Sequence, residues 1–227
     1  MASLTIATAA FLAIHFAISG TQVRDRLAGM LGEGTYLGLF SAASLALIVW
    51  MSMSYGPALA DEANVILWTG PDWWPKAGGP LVLIAFLFMV IGMIGTNPGA
   101  VGQAERAADG PRGMQRITRH PFLWGVALWA AFHVVANGDL ASLVLFGGFL
   151  VLALAGTVMI DAKRQRKMGE TWQAYAAETS NIPFAAILGR RQRLVMAEFR
   201  GWQFILVFAI YGTVYALHAQ LFGVSPA

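Results

Sequence analysis

The sequence predicts an all-α, polytopic integral membrane protein with about six transmembrane helices, on three observations. Of its residues 57% are hydrophobic and only 12% charged, about half the charge of a soluble domain. Six apolar stretches approach the roughly 20 residues a helix needs to cross a bilayer core about 30 Å thick. The basic residues fall in alternate connections between those stretches. Helix is the secondary structure that fits, because lone strands leave backbone groups unpaired in hydrocarbon.

The first stretch, 4–20, has no basic segment before it and no small-residue cleavage pattern after it. It reads as a retained helix, not a signal peptide. The second and third stretches span 36–55 and 80–96. Between them, 56–79 is long for a membrane loop and holds Trp68, Trp73 and Trp74, which an interfacial aromatic belt explains better than substrate contact. The fourth stretch, 121–137, opens on Pro121, suited to a first helical turn because it has no N–H to leave unpaired. Asn137-Gly138-Asp139 then reads as a tight hairpin: Gly138 takes a left-handed C-terminal conformation and Asp139 caps the next helix. The fifth stretch is 140–160 and the sixth 202–219. Between these two, residues 163–178 (KRQRKMGETWQAYAAE) read as one surface helix, broken by Thr179-Ser180-Asn181 and Pro183. With no repeat or low-complexity tract, 1–227 forms a single domain.

Fourteen of the fifteen Lys and Arg lie in the first, third and fifth connections. The positive-inside rule makes those connections cytoplasmic and places both termini on the other side. The same rule accounts for the net charge of +3 and pI near 9.5 without nucleic acid. The expected location is a bacterial inner (cytoplasmic) membrane, with lipid as the surrounding partner. There is no cysteine, which excludes disulfides, iron–sulfur clusters, thiolate ligation and covalent haem attachment.

Chemistry then rests on histidine. His120 stands at the cytoplasmic interface beside Pro121, and a capping role competes there with ligation. His218 closes the sixth stretch at the outer surface and reads as structural. His15 and His133 lie within the apolar region, where a polar side chain is costly and faces a protein interior. Their heights differ by about 5–10 Å at roughly 1.5 Å per residue. Hydrogen bonding between helices is one reading of each. Two imidazoles at comparable depth with no intramembrane carboxylate also suit the axial positions of a b-type haem, with His15 and His133 on the iron. Trp129 and Asn137 lie one turn either side of His133, and Phe11 and Ser19 one turn either side of His15. Ser19 or Asn137 is placed to hydrogen-bond a ligand, and Arg116, Arg119 and His120 are placed for propionates. Zinc fits less well, since no third ligand appears at that depth.

Arg116-Ile117-Thr118-Arg119-His120-Pro121, then Trp129 and His133, Asp161, Gly169-Glu170, Thr179 to Phe184 and Glu198-Phe199-Arg200 form an ordered set. This set resembles the NnrU family, which includes 15-cis-zeta-carotene isomerases. The resemblance implies a polytopic helical protein. In the isomerase branch it implies haem b on two histidines, falling here on His15 and His133, and isomerisation of a central cis double bond of a carotene. The bacterial branch is associated with denitrification, which implies nitric oxide as a ligand or nitrogen-oxide reductases as partners. The pattern departs at Ala130, where the isomerases have a cysteine, and between 140 and 160, where their histidines have no counterpart.

Arg119-His120-Pro121 followed by Gly169, Trp172, Tyr175 and Pro183 also resembles the membrane methyltransferases that use S-adenosylmethionine. The paired glutamates of that pattern are replaced by Asp161-Ala162-Lys163-Arg164. Three readings follow: a haem b membrane protein, whose enzymatic form is a haem-dependent cis–trans isomerase; a methyltransferase; and a non-enzymatic assembly factor for nitrite and nitric oxide reductases. An absorption band, S-adenosylmethionine binding and co-purifying reductase separate them.

Overall fold

A computed structural model of the chain describes residues 1–100, 102–224 and 226. Among these residues the regular structure is helix, joined by irregular connections, with one isolated antiparallel bridge. Four helices are long and apolar enough to cross a membrane: Ala2–Ser19, Glu33–Leu59, Lys76–Ile94 and Leu140–Met168. Pro121–Asn137 and Gly201–Ala216 are apolar but shorter. Two compact units form, Met1–Pro71 with His133–Leu152, and Asp72–Phe132 with Ala153–Ala227.

In the first unit, α1 (Ala2–Ala13) runs into a π-helical turn, Ile14–Ser19. A short helix unforeseen in the first connection, α2 (Val23–Leu31), leads to α3 (Glu33–Leu59). Helices α1 and α3 are antiparallel neighbours. The Ser3 and Ser54 hydroxyls meet at 2.8 Å near one end, and the His15 and Phe40 rings meet edge-on near the other. Leu4, Ala7, Thr8 and Phe11 are the buried residues of α1, the i, i+3, i+4, i+7 face of a helix packed on one side. Outward, Leu45 and Met53 of α3 are exposed, as lipid-facing apolar side chains are.

Helices α6 (Pro121–Asn137) and α7 (Leu140–Met168) are joined by the expected hairpin. Gly138 has φ 69°, and Asp139 Oδ1 accepts the Ser142 N–H at 2.9 Å as an N-cap. The connection after α3 is pinned to this turn: Leu67 and Trp68 donate their N–H groups to the Gly138 carbonyl, and Leu140 donates to Val65. Trp68 Nε1 donates to the Val135 carbonyl at 3.2 Å. An aromatic belt therefore describes Trp73, which is exposed, better than Trp68.

In the second unit, α4 (Trp74–Ile94) packs on α10 (Gly201–Ala216), with Tyr211 donating to the Gly79 carbonyl at 2.9 Å. Phe88, Ile91 and Val207 form the core beneath them with Met114 and Ile117 of the short helix α5 (Met114–Ile117). Trp74 stacks on Phe132 at 5.5 Å and donates Nε1 to the Phe132 carbonyl. Gly125 of α6 lies where a Cβ would come within 2.7 Å of the Ala85 carbonyl oxygen of α4. The absent side chain is what allows that approach.

The basic surface helix expected over 163–178 is two helices. Helix α7 continues to Met168, Gly169 turns at φ 55°, and α8 (Glu170–Glu178) begins afresh. A run of helix-favouring residues hid the break, because a left-handed glycine ends a helix that composition would continue. Helix α8 buries Trp172 and Tyr175; burial raises the Tyr175 phenol above the usual tyrosine range. Downstream lie α9 (Ala185–Leu188) and, after α10, α11 (His218–Phe222).

Candidate functional site

Two histidine centres form, one in each unit. The first contains both histidines of the apolar region. His15 sits in the π-helical turn, where the Gly20 N–H reaches back five residues to the His15 carbonyl at 2.9 Å. Such turns are rare and concentrate at functional positions. His15 Nδ1 lies 2.8 Å from the Phe11 carbonyl oxygen. A carbonyl can only accept, so Nδ1 carries the proton and the Nε2 lone pair is left for a ligand. The ring is held against Phe11 at 4.4 Å and Phe40 at 5.2 Å.

His133 lies in regular α-helix and stacks on Phe146 at 4.7 Å and 27°. Phe146 and Phe149 stand one turn apart on α7, and Phe149 meets Phe11 edge-on at 5.6 Å. Both imidazoles are thus tied to one short length of α7. His15 is four residues beyond Phe11, and Phe149 three beyond Phe146, so the stagger along the helices is roughly 10 Å. That is the upper end of the sequence expectation. Both rings are half-buried. Asn137 Nδ2 donates to the His133 backbone carbonyl at 2.8 Å and so is engaged with its own helix. Trp129, one turn before His133, is half-buried, and Ala130 is fully buried.

The second centre gathers residues that the sequence scatters. His120 is 2% exposed, and its Nε2 donates to Asp161 Oδ1 at 2.8 Å. Arg119 Nε lies 2.9 Å from both oxygens of the same carboxylate. The backbone around them pairs with the Thr179 to Phe184 segment. The Arg119 N–H donates to the Ser180 carbonyl and the Phe184 N–H to the Ile117 carbonyl, and the Thr118 hydroxyl donates to the Asn181 carbonyl. Nearby, Arg116 holds Glu198 through two 2.7 Å hydrogen bonds and also reaches Gln192. The guanidinium keeps the Glu198 carboxyl below the ordinary glutamate range. A cleft of about 520 Å³ opens here, lined by Arg112, Arg116, Glu178, Gln192 and Glu198 among others.

The cationic residues expected near a propionate therefore have protein partners: Arg116 has Glu198, Arg119 has Asp161, and His120 shares Asp161. His218 Nδ1 donates to the Val224 carbonyl at 2.7 Å from a half-buried ring. Sequence reasoning missed Phe40, Phe146 and Phe149 as the walls of the first centre, because nothing in an apolar run marks which phenylalanine faces a histidine. Asp161 was visible as a member of the NnrU-like set at the head of a basic run, but nothing in the sequence tied it to Arg119 and His120. Among the described residues no three or more His, Asp or Glu side chains assemble as a metal cluster.

The NnrU protein family pattern matches residues 3–226. The chain is 26% identical over 233 residues to a chloroplastic 15-cis-zeta-carotene isomerase of Arabidopsis thaliana, covering 95% of this chain and 59% of that protein. It is 27% identical over 203 residues to the isomerase of the same name from Zea mays, covering 84% and 52%. The chain thus spans between about half and three fifths of the length of these curated relatives. No solved structure matches it significantly. With the Arg116 to Pro121, Asp161, Thr179 to Phe184 and Glu198 stretches joined in one hydrogen-bonded centre and the pattern matched end to end, the chain belongs to the NnrU family.

Proposed function

We propose that this protein binds haem b between His15 and His133 and acts as a carotenoid isomerase-like membrane enzyme. The observation that carries the reading is the His15 Nδ1 contact with the Phe11 carbonyl. It orients the ring and frees Nε2, as a carbonyl partner does for a metal-bound histidine. The donor set suits the group: two neutral imidazoles, no competing thiolate, and phenylalanine walls at Phe11, Phe40, Phe146 and Phe149. When bound, the iron supplies an electron-poor centre that weakens a neighbouring double bond without net redox change.

The chain's own contribution is orientation and exclusion of water. Phe146 fixes the plane of His133, and Phe11 and Phe40 fix that of His15. The two named relatives, carotene isomerases, support a polyene as the substrate class. The membrane arrangement we infer adds α6 and α10 to the four long helices, giving six crossings, with the basic connections cytoplasmic. A bacterial inner membrane suits that charge pattern. The methyltransferase alternative is disfavoured by His120, which is buried against Asp161 and so turned away from a soluble cofactor. The denitrification-linked reading shares the haem and differs in ligand, nitric oxide in place of a polyene.

The test is the absorption spectrum of the purified full chain after expression with ample haem. A Soret band with low-spin, six-coordinate features is expected; a colourless protein overturns the reading. Incubation with a 15-cis carotene, followed by chromatography of the isomers, then separates the enzyme from a haem-binding factor.

A further inference from the structure

The segment 182–200, between α8 and α10, presents a concentrated set of large apolar side chains and arginines at its surface. Gln192 and Glu198 are turned inward, while the arginines stay at the surface. Gln192 and Glu198 bind Arg116, and Arg191 donates to the Ala177 and Thr179 carbonyls at the end of α8. Ile187 and Phe199 pack on the core below, but five other large apolar side chains are turned outward. Leu188 is 81% exposed, Ile182 63% and Met196 62%, with Phe184 and Leu194 also exposed. Single exposed apolar residues are ordinary, but a concentrated set marks an interaction surface.

The backbone holds this arrangement firmly. Phe184 and Arg190 both adopt positive φ, 65° and 55°, and are the non-glycine residues that do so among those described. They flank α9, whose Ala186 is fully buried while Leu188 projects. Left-handed conformations disfavour bulky residues and persist when surroundings enforce them. The segment is thus set in place with its apolar side out.

Charge decides what covers it. Four arginines, Arg190, Arg191, Arg193 and Arg200, lie in 182–200 against a single carboxylate, Glu198, which Arg116 already holds. Arg190 and Arg193 are exposed and have no carboxylate partner among the described residues. Trp202, exposed at the start of α10, supplies the interfacial aromatic usual where a helix enters a bilayer.

We propose that residues 182–200 form an interfacial anchor: Ile182, Phe184, Leu188 and Met196 dip into the acyl boundary, while Arg190 and Arg193 bind the phosphates of anionic phospholipids. Apolar side chains gain by leaving water, and arginine matches a phosphate with paired N–H donors. The anchor is separate from the imidazole pair and does not depend on haem.

The chain has no cysteine, so Leu188→Cys or Met196→Cys carries a single environment-sensitive fluorophore. The labelled full chain is reconstituted in nanodiscs of phosphatidylcholine alone or mixed equally with phosphatidylglycerol, with quencher groups on the acyl chains. Blue-shifted emission quenched by those groups is expected at both positions. Retention of phosphatidylglycerol over phosphatidylcholine is then measured by native mass spectrometry. Arg190→Gln with Arg193→Gln should lower that preference roughly thirtyfold, as two cations near an anionic surface imply. Unquenched, water-like emission at both positions overturns the anchor, and a phosphatidylglycerol preference that is absent or untouched by the arginine changes overturns its lipid assignment. Folding of the arginine variant is checked by its retained label quenching.

Discussion

His120 Nε2 donates to Asp161 Oδ1 at 2.8 Å, across 41 positions of sequence, and Arg119 binds the same carboxylate from the adjoining position. One acidic side chain thus satisfies two neighbouring cation-forming groups at the start of α6. Asp161→Ala leaves a buried imidazole and a mostly buried guanidinium without their acceptor. Losing one partner of such a set costs about 3–5 kcal/mol. Thermal unfolding in detergent should show a large loss of stability, with Asp161→Asn recovering part of it through its remaining acceptor oxygen.

The Arg116–Glu198 pair gives a pH dependence with a definite sign. The folded-state carboxyl is held below its ordinary value of 4.5 by the Arg116 hydrogen bonds. Its stabilisation is therefore present above the unfolded value and disappears as pH falls through the lower folded value. The wild type should lose melting temperature below about pH 4.5 more steeply than Glu198→Gln. Because the pair is partly exposed, its contribution is about 1 kcal/mol after solvent screening. Parallel melting curves for the two proteins at acid pH contradict this.

Gly138 has no room for a side chain: a Cβ there would come within 2.0 Å of the Trp68 carbonyl oxygen, and φ is 69°. Gly138→Ala combines backbone strain with the displacement of the 64–68 segment from the hairpin. A destabilisation of more than about 2 kcal/mol is expected. Faster proteolysis within 60–73 is the readout that assigns the loss to this contact.

The two imidazoles should behave as equals toward a low-spin haem spectrum. His15→Ala and His133→Ala each convert it to a five-coordinate form, and added imidazole restores six-coordination in both. His218→Ala leaves the spectrum unchanged, since that ring lies at the exposed end of the chain against the Val224 carbonyl. A spectrum unaltered by either inner histidine change excludes the pair as ligands.

Much of the helical layout was legible in the sequence. The apolar runs, the Gly138-Asp139 turn and the breaker at Thr179 to Asn181 are local signals: each run is helical, four of them at membrane length, and the turn and breaker fall where local chemistry puts them. The split of 163–178 was not legible, because Gly169 interrupts a composition that otherwise favours helix. Helix α2 was hidden for a different reason: it is short, at nine residues, and Arg24, Asp25, Arg26 and Gly29 break up any apolar face.

For the candidate sites, the sequence by itself determined which residues were worth asking about. His15 and His133 were selected by depth, since an imidazole in hydrocarbon needs a partner wherever it lies. Only the tertiary structure decided what surrounds them. It placed Phe146 against His133 and Phe40 against His15, and it joined Arg119 and His120 to Asp161. Depth follows from position along one helix, a local quantity. Partners depend on the rotation of each helix about its own axis, which is set by packing against distant segments that no single stretch encodes.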